Sequence, residues 1–347
     1  MAARNGALAT LVDVTATYGE AGESQGQIAE ILSKDNAILD DIPWAEGNLI
    51  TGDRTWVRTG KPGVAWRRYN QGVPKSKGTV GSFDEAAAQL AATSQMDRSL
   101  AILGGNPAKA RMNFAKPFFD AMNDEFAETL FYGNSYYESK EFTGLTPRYN
   151  DTDGVTGDYI IDCGGTGTDN RSMWLIDWDQ EEFGGLYPRG TKAGLMHMDA
   201  TANMNAGPDG YPIGDLVQDE DGNSYLGYSD FFQWDCGLKV KDHRRAVRAA
   251  NIDYSLLTKD RSTGADLEDI IVQMVERVKS TGPNCALYVP RPLGGFLRRQ
   301  ALHDSRAGRG LLGFDTIGGR KVTTYDGIPI RSIDALNVDE ARVTAST

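Results

Sequence analysis

The chain has 347 residues, a formal charge of −12 and a hydrophobic fraction of 40%, enough apolar material for two or three compact units with their own cores. This acidic balance excludes a protein that grips nucleic acid over its whole surface, which would need clustered Lys and Arg to replace counterions. No apolar run approaches the roughly 18 to 20 residues that cross a bilayer, and the opening MAARNGALATLVDV lacks the pattern of a cleaved signal, so a cytosolic product with no membrane partner is expected.

Residues 9–39 hold two amphipathic pieces, LATLVDVTATYG and QIAEILSKDNAILDDI, on either side of GEAGESQG. Ile28, Ile31, Leu32, Ile38 and Leu39 predict a helix in the second piece. It reads either as an arm laid over another copy or as an ordinary first helix.

From Asn48 the pattern changes to alternation. Thr55, Val57 and Thr59 oppose Trp56 and Arg58; TGKPG then supplies a turn, and Val64, Trp66 and Arg68 alternate again, which predicts a hairpin. Arg54, Arg58, Arg67, Arg68, Lys75 and Lys77 make it basic and aromatic. Such a ribbon suits acidic neighbours of its own kind, or single-stranded nucleic acid through stacking and charge. Farther on, Ser82 to Glu85 has the form of a helix capping box ahead of AAAQLAAT.

The strongest helix follows. Met112, Ala115, Phe119, Met122, Phe126 and Leu130 recur at spacings of three and four, with Asp120, Asp124 and Glu128 off that stripe. Pro117 predicts a fresh helix start, because an internal proline removes a hydrogen bond, and Gly133-Asn134 predicts a left-handed stop. Beyond it, MWLIDW at 173–178, GLYPRG and YLGYSDFFQWDCGLKVKD predict short strands, with tight turns at Pro208-Asp209-Gly210 and Asp221-Gly222. His243, Arg244, Arg245 and Arg248 form the densest basic cluster, read as charges at a sheet edge ahead of an anion groove. Residues 265–280 predict a helix with Leu267, Ile270, Ile271, Met274 and Val278 on its apolar face. CALYVPR predicts a buried strand, RPLGGFLRRQAL a short helix, and KVTTYDGIPIRSIDAL two strands joined at Asp326-Gly327, where Gly327 needs a positive φ and Pro329 donates no ladder bond.

Catalytic patterns are missing. His197, His243 and His303 are the three histidines, none in H-x-x-x-H spacing or beside a Ser or Cys motif, and G-x-S-x-G, H-E-x-x-H and G-x-G-x-x-G are absent as functional contexts. Cys163, Cys236 and Cys285 lack C-x-x-C spacing, as expected of reduced thiols rather than a disulfide or zinc framework. CGGTGTDN at 163–170 lacks the G-K-[ST] ending of a phosphate cradle, and 219–222 lacks the register of a calcium loop. No catalytic residue, cofactor or metal is assigned.

Four stretches taken in order, LVDV to ILSKDNAILDDIPWAEGN, LFYGN followed by FTGLTPR, MWLIDWDQEEFGGLYPRGTKAGLMHMD and YDGIPIRSIDAL, resemble the major capsid proteins of short-tailed double-stranded DNA phages over nearly the whole chain. The resemblance implies an α+β subunit of the tailed-phage capsid (Johnson) fold. Its parts would be an N-terminal arm at 1–47, an extended loop at 48–104 and a peripheral domain with the spine helix at 105–160. An axial domain would follow at roughly 161–320, including strands that return to the peripheral domain, with closing strands at 321–347. Against the capping box, it implies the returning strand of the extended loop over part of this region, and a strand around 80–89 with a helix around 95–103 is expected. Phe119, Met122, Phe126, Leu130, Gly133, Gly327 and Pro329 would define the fold. Ile28, Ile31, Trp56, Arg58, Trp66, Arg67, Arg68, Lys75 and Lys77 would meet neighbouring subunits. The implied function is self-assembly into pentamers and hexamers of an icosahedral virion shell around double-stranded DNA, formed in the host cytoplasm, with scaffold, decoration and portal proteins as further partners. The alternatives are an encapsulin-like compartment and an acidic hydrolase.

Overall fold

A computed structural model of the chain describes residues 38–345 apart from 104, 204, 220, 307–311 and 318–319. The arm residues Ile28 and Ile31, and most of the helix expected around them, lie outside the described residues. The chain divides into two compact units that interleave in sequence, one holding Gln89–Phe126 and Gly194–Trp234, the other Asn36–Ala88, Ala127–Ala193 and Asp235–Thr347.

The larger unit is centred on a mixed sheet of seven strands. Its members are β4 (Ile160–Asp162), β5 (Asn170–Asp177), β10 (Ala246–Asp253), β11 (Cys285–Pro290), β12 (Leu312–Ile317), β13 (Arg320–Tyr325) and β14 (Ile328–Ile333), in the order β12-β13-β14-β11-β5-β10-β4. MWLIDW is the middle of this sheet, antiparallel to β10 and β11. That position explains its nearly continuous apolar run, since both faces are covered. On one face lies helix α4 (Leu267–Arg277), started by Asp266, whose carboxylate accepts from the backbone N–H of Glu268 and Asp269. Leu267, Ile270, Ile271 and Met274 bury against Met173, Leu175, Val247 and Leu287, as the spacing predicts. Helix α5 (Arg291–Arg306) adds Leu293 and Leu297 to the same core. The β13–β14 turn falls at Asp326-Gly327, with φ of 47° and 81°, the pair of left-handed residues a two-residue hairpin turn requires.

The same unit holds α1 (Ile38–Asp41), β1 (Trp44–Glu46), β2 (Gly52–Gly60) and β6 (Phe183–Tyr187). Ile38 and Ile42 are buried and β1 pairs in parallel with β6, so residues 38–46 of the expected arm are part of the unit.

Strand β3 (Thr79–Asp97) corrects two expectations. The hairpin's return strand is β3, in the register Gly52↔Ala86 to Gly60↔Thr79, and not Val64 to Arg68, which lie in the connecting residues 61–78, without a ladder among the described residues. The capping box is also overruled: Glu85 is drawn to Arg148 and the alanine run stays extended, tertiary pairing overriding helix propensity. The strand over 80–89 is present, and the helix after it, α2 (Arg98–Leu103), begins three residues later than expected.

In the smaller unit, α3 is one helix from Pro107 to Tyr132, with its last six residues assigned to the larger unit. Pro117 does not restart it. The proline is exposed, so the bond it fails to donate is lost on the solvent side of the helix, where a missing bond costs least. Ala115, Met122 and Phe126 are buried, but Met112 is half exposed and Phe119 partly so. The stripe packs on alternate residues of β9 (Ser224–Val240), one strand of 17 residues where several short ones were expected. Phe119 meets Phe232 edge-on at 4.9 Å and Phe126 stacks on Trp234 at 4.6 Å. Strands β7 (Met196–Asp199) and β8 (Asp215–Gln218) also pair with β9, the latter through a turn in which Gly222 has φ +83°.

The helix end differs from the expected left-handed stop, because Gly133 does not have a positive φ. Its N–H still bonds Thr129, and the FTGL segment folds back so that Gly144 donates to the Gly133 carbonyl and Leu145 to that of Leu130. A Cβ on Gly133 would lie 2.6 Å from the Thr129 carbonyl, and one on Gly144 2.5 Å from it. Both glycines are therefore required by close backbone approach, and the pairing of LFYGN with FTGL is a cap built from distant sequence.

Candidate functional site

The root of the β2–β3 ribbon is fixed by buried charge. Arg148, the arginine of FTGLTPR, donates to both carboxylate oxygens of Glu85 at 2.6 and 2.5 Å, and to the carbonyls of Gly144 and Thr143. A bidentate pair of this kind adds geometric specificity as well as energy. On β2, the buried Asp53 carboxylate lies 3.8 Å from the ammonium groups of Lys239 and Lys241. Burial, helped by the neighbouring Lys241 charge, holds Lys239 below its ordinary pKa. Farther out, Arg54 and Asp84 face each other across the ladder and pair at 2.6 Å in solvent.

Beyond this root the described residues of the ribbon stand in solvent. Residues 61–77 are all exposed, Trp66 and Tyr69 fully so, and Trp56 on β2 is 69% exposed. Residues 61–78 contain five Lys and Arg and no Asp or Glu. Trp66, Arg67, Arg68, Lys75 and Lys77 therefore sit together in one exposed cationic, aromatic loop, with Trp56 on the strand that leads to it. The side chain of Arg58 is outside the described residues.

The basic cluster at 243–248 is dispersed rather than gathered. Arg248 is 1% exposed in β10, an interior strand between β5 and β4, and donates to Glu340 at 2.7 Å, to the Tyr149 carbonyl and to Ser172. The sheet-edge expectation fails for it because an internal carboxylate compensates its charge. Arg245 pairs with Asp177 and Glu182, and Lys279 with Glu182 and Asp242. Hydrogen bonds from Arg244 pull the Asp242 carboxyl far below the usual range, with Lys279 helping. Lys279 and Arg245 lower Glu182, whereas burial raises Asp177. Burial also lowers His243.

These shifts fix a pH dependence. Groups with depressed pKa contribute stability above their unfolded values that is lost as pH falls through their folded values. His243 should therefore begin to destabilise below about pH 6.5, and Asp242 and Glu182 below about pH 4, with Asp177 partly offsetting the second step. The expected result is a melting temperature that falls in two stages on acidification, measured by circular dichroism across pH 7 to 3.

In the smaller unit, a pocket of about 200 Å³ is lined by Arg111, His197, Asp199, Asp230 and Phe232, among others. His197 Nε2 is 2.7 Å from Asp230, Arg111 also bonds Asp230 and pairs with Asp199, and the described lining residues include no Ser, Thr or Cys. Burial pushes the thiols of Cys163, Cys236 and Cys285 up to about 12. Among the described residues no group of three or more His, Cys, Asp or Glu is placed to hold a metal, and no helix is long and apolar enough to cross a membrane.

Sequence reasoning missed the partners of Arg148, Arg248 and Asp53. FTGLTPR marked Arg148 as notable, but a partner 63 residues away leaves no local signal.

The most developed exposed feature among the described residues is thus this cationic, aromatic loop. The major capsid protein GP7 family matches residues 19–344. A solved structure of bacteriophage Epsilon15 is similar at a TM-score of 0.73 and 28% identity, covering 100% of both chains. The capsid of bacteriophage JBD30 is similar at TM-score 0.49 and 8% identity over 95% of this chain and 100% of that one. The SrpI encapsulin of Synechococcus elongatus PCC 7942 is similar at 0.40 and 10% over 73% and 97%. Both of these fall below a TM-score of 0.5, and the assignment rests on the family match and the first structure. Among curated proteins none matches. The chain belongs to the major capsid protein GP7 family and has the tailed-phage capsid fold, which places it in the shell of a virion.

Proposed function

We propose that this protein self-assembles into pentamers and hexamers that tile an icosahedral shell around packaged double-stranded DNA, and that the β2–β3 ribbon is its principal clamp on neighbouring subunits. The observation that carries this reading is the exposed loop at 61–78, five cations without a carboxylate around Trp66 and Tyr69, on an otherwise acidic chain. An isolated two-stranded ribbon is marginal in water, so a neighbour should complete it. Single exposed ion pairs contribute at most about 1 kcal/mol, but they repeat around every ring of subunits.

On this reading residues 1–47, 48–104, 105–160, 161–320 and 321–347 serve as arm, extended loop, peripheral domain, axial domain and closing strands. Ile28, Ile31 and Arg58 join Trp56, Trp66, Arg67, Arg68, Lys75 and Lys77 in subunit contacts. Scaffold, decoration and portal proteins are further partners, and the protein acts by association rather than catalysis.

Electron microscopy of the overexpressed protein tests this. Closed particles of uniform size, built from rings of five and six, are expected. A monodisperse, monomeric protein in concentrated solution would contradict the proposal.

A further inference from the structure

The receiving surface for the cationic loop is legible on the same chain. We propose that the 61–69 segment of one copy is bound by the β8–β9 hairpin of a second copy, an assignment that rests on the ribbon being a subunit contact and names what it meets.

Three observations lead there. Val64, Trp66 and Arg68 alternate like a strand, yet residues 61–68 have no ladder among the described residues, so their strand pattern is unspent there. An edge is open to receive it. Along one side of β9, residues 240–237, 233–230 and 227–224 pair in turn with β6, β7 and β8, and among the described residues β8 pairs with nothing else. Addition of an extended segment to such an edge is a recurrent mode of recognition.

The surfaces also match chemically. Leu216 and Leu226 stand directly opposite each other on β8 and β9, 74% and 42% exposed, an apolar pair that the chain leaves in water. Beside it lies the turn with Asp219 and the exposed Asp221. Residues 193–238 hold eight Asp and Glu without one Lys or Arg, the converse of residues 61–78. Within this acidic stretch Asp199 and Asp230 share the single charge of Arg111 and Asp209 pairs with Arg98, whereas among the described residues no Lys or Arg pairs with Asp219 or Asp221 at the β8–β9 turn. A leucine pair rimmed by carboxylates complements Trp66 and Tyr69 rimmed by Lys61, Arg67 and Arg68.

The test uses assembled particles of a Trp66→Cys, Leu216→Cys double variant, oxidised and run on a denaturing gel. The native thiols, with Cys236 and Cys285 buried and Cys163 half-buried, are expected to stay silent, which the two single variants check. A ladder of covalent multimers is the expected result; an intrachain cross-link or none overturns the assignment. Independently, Asp221→Lys should raise the protein concentration needed for assembly several-fold, and Arg67→Glu in the same chain should restore it. No effect of Asp221→Lys, or no rescue, also overturns it. Replacement of the loop itself separates the two levels. If that variant fails to assemble while the hairpin variants behave as the parent, the ribbon is a contact and this partner is wrong. If the loop-replaced variant assembles, the underlying reading has failed.

Discussion

Glu340→Ala is expected to cost the subunit about 3–5 kcal/mol of stability, a large share of what a domain has. Glu340 receives Arg248 at 2.7 Å, the Tyr132 hydroxyl at 2.7 Å and the Ser172 hydroxyl, all within the larger unit. Burial and the Glu340 charge push the Tyr132 phenol far above its usual range, so it stays a neutral donor at any working pH. Removing the carboxylate leaves Arg248 charged and enclosed beneath the Trp174 ring. The same residue ties down the C-terminal segment, since its backbone N–H bonds the Asn170 carbonyl, and Asn251 exchanges two bonds with Val343 nearby. Replacing both charges, as Arg248→Met with Glu340→Leu, should recover much of the loss, because no lone buried charge remains. Urea denaturation of the unassembled subunit measures both variants. A single variant within 1 kcal/mol of the parent would mean that Arg248 finds water or another carboxylate.

What could be read from the sequence was what local periodicity encodes. The helix α4, the all-buried strand β11 and the turn at Asp326-Gly327 each carry their own signal in fewer than 20 residues, and each lies where its pattern places it. The helix α3 was visible as a stripe, but not its unity through Pro117, because whether a lost hydrogen bond falls on the solvent side depends on what the helix packs against. Gly133 was recognised as a terminator for the wrong reason: its role depends on Gly144 arriving from beyond a separate loop, a fact of tertiary structure. The ribbon was half legible. Alternation at 55–59 marked β2, but the matching alternation at 64–68 suggested a return strand that β3 supplies instead.

The candidate surface divides the same way. The excess of cations and aromatics at 56–77 is a matter of composition and was plain from the chain alone. The ion pairs that hold its root, Arg148 with Glu85 and Asp53 with Lys239, join positions far apart, and opposite charges are too common in sequence to be matched by eye. Arg248 shows the cost of reading charge locally. Beside His243, Arg244 and Arg245 it looked like part of a surface patch, whereas its partner at Glu340 makes it core.

The most direct measurement of the central claim is sedimentation of a variant in which residues 60–77 are replaced by a short Gly-Ser turn, beside the parent protein. Among the described residues these have no ladder partner beyond Gly60↔Thr79, so the variant should keep near-parent circular dichroism and a cooperative melt. Under conditions where the parent sediments as closed particles, it should sediment as free subunits or small rings, an all-or-none loss because a contact repeated around every ring is removed at once. Shells of normal size and stability from the variant would contradict the account. A variant that assembles normally but loses single-stranded DNA binding possessed by the parent would instead give the loop a role in holding nucleic acid.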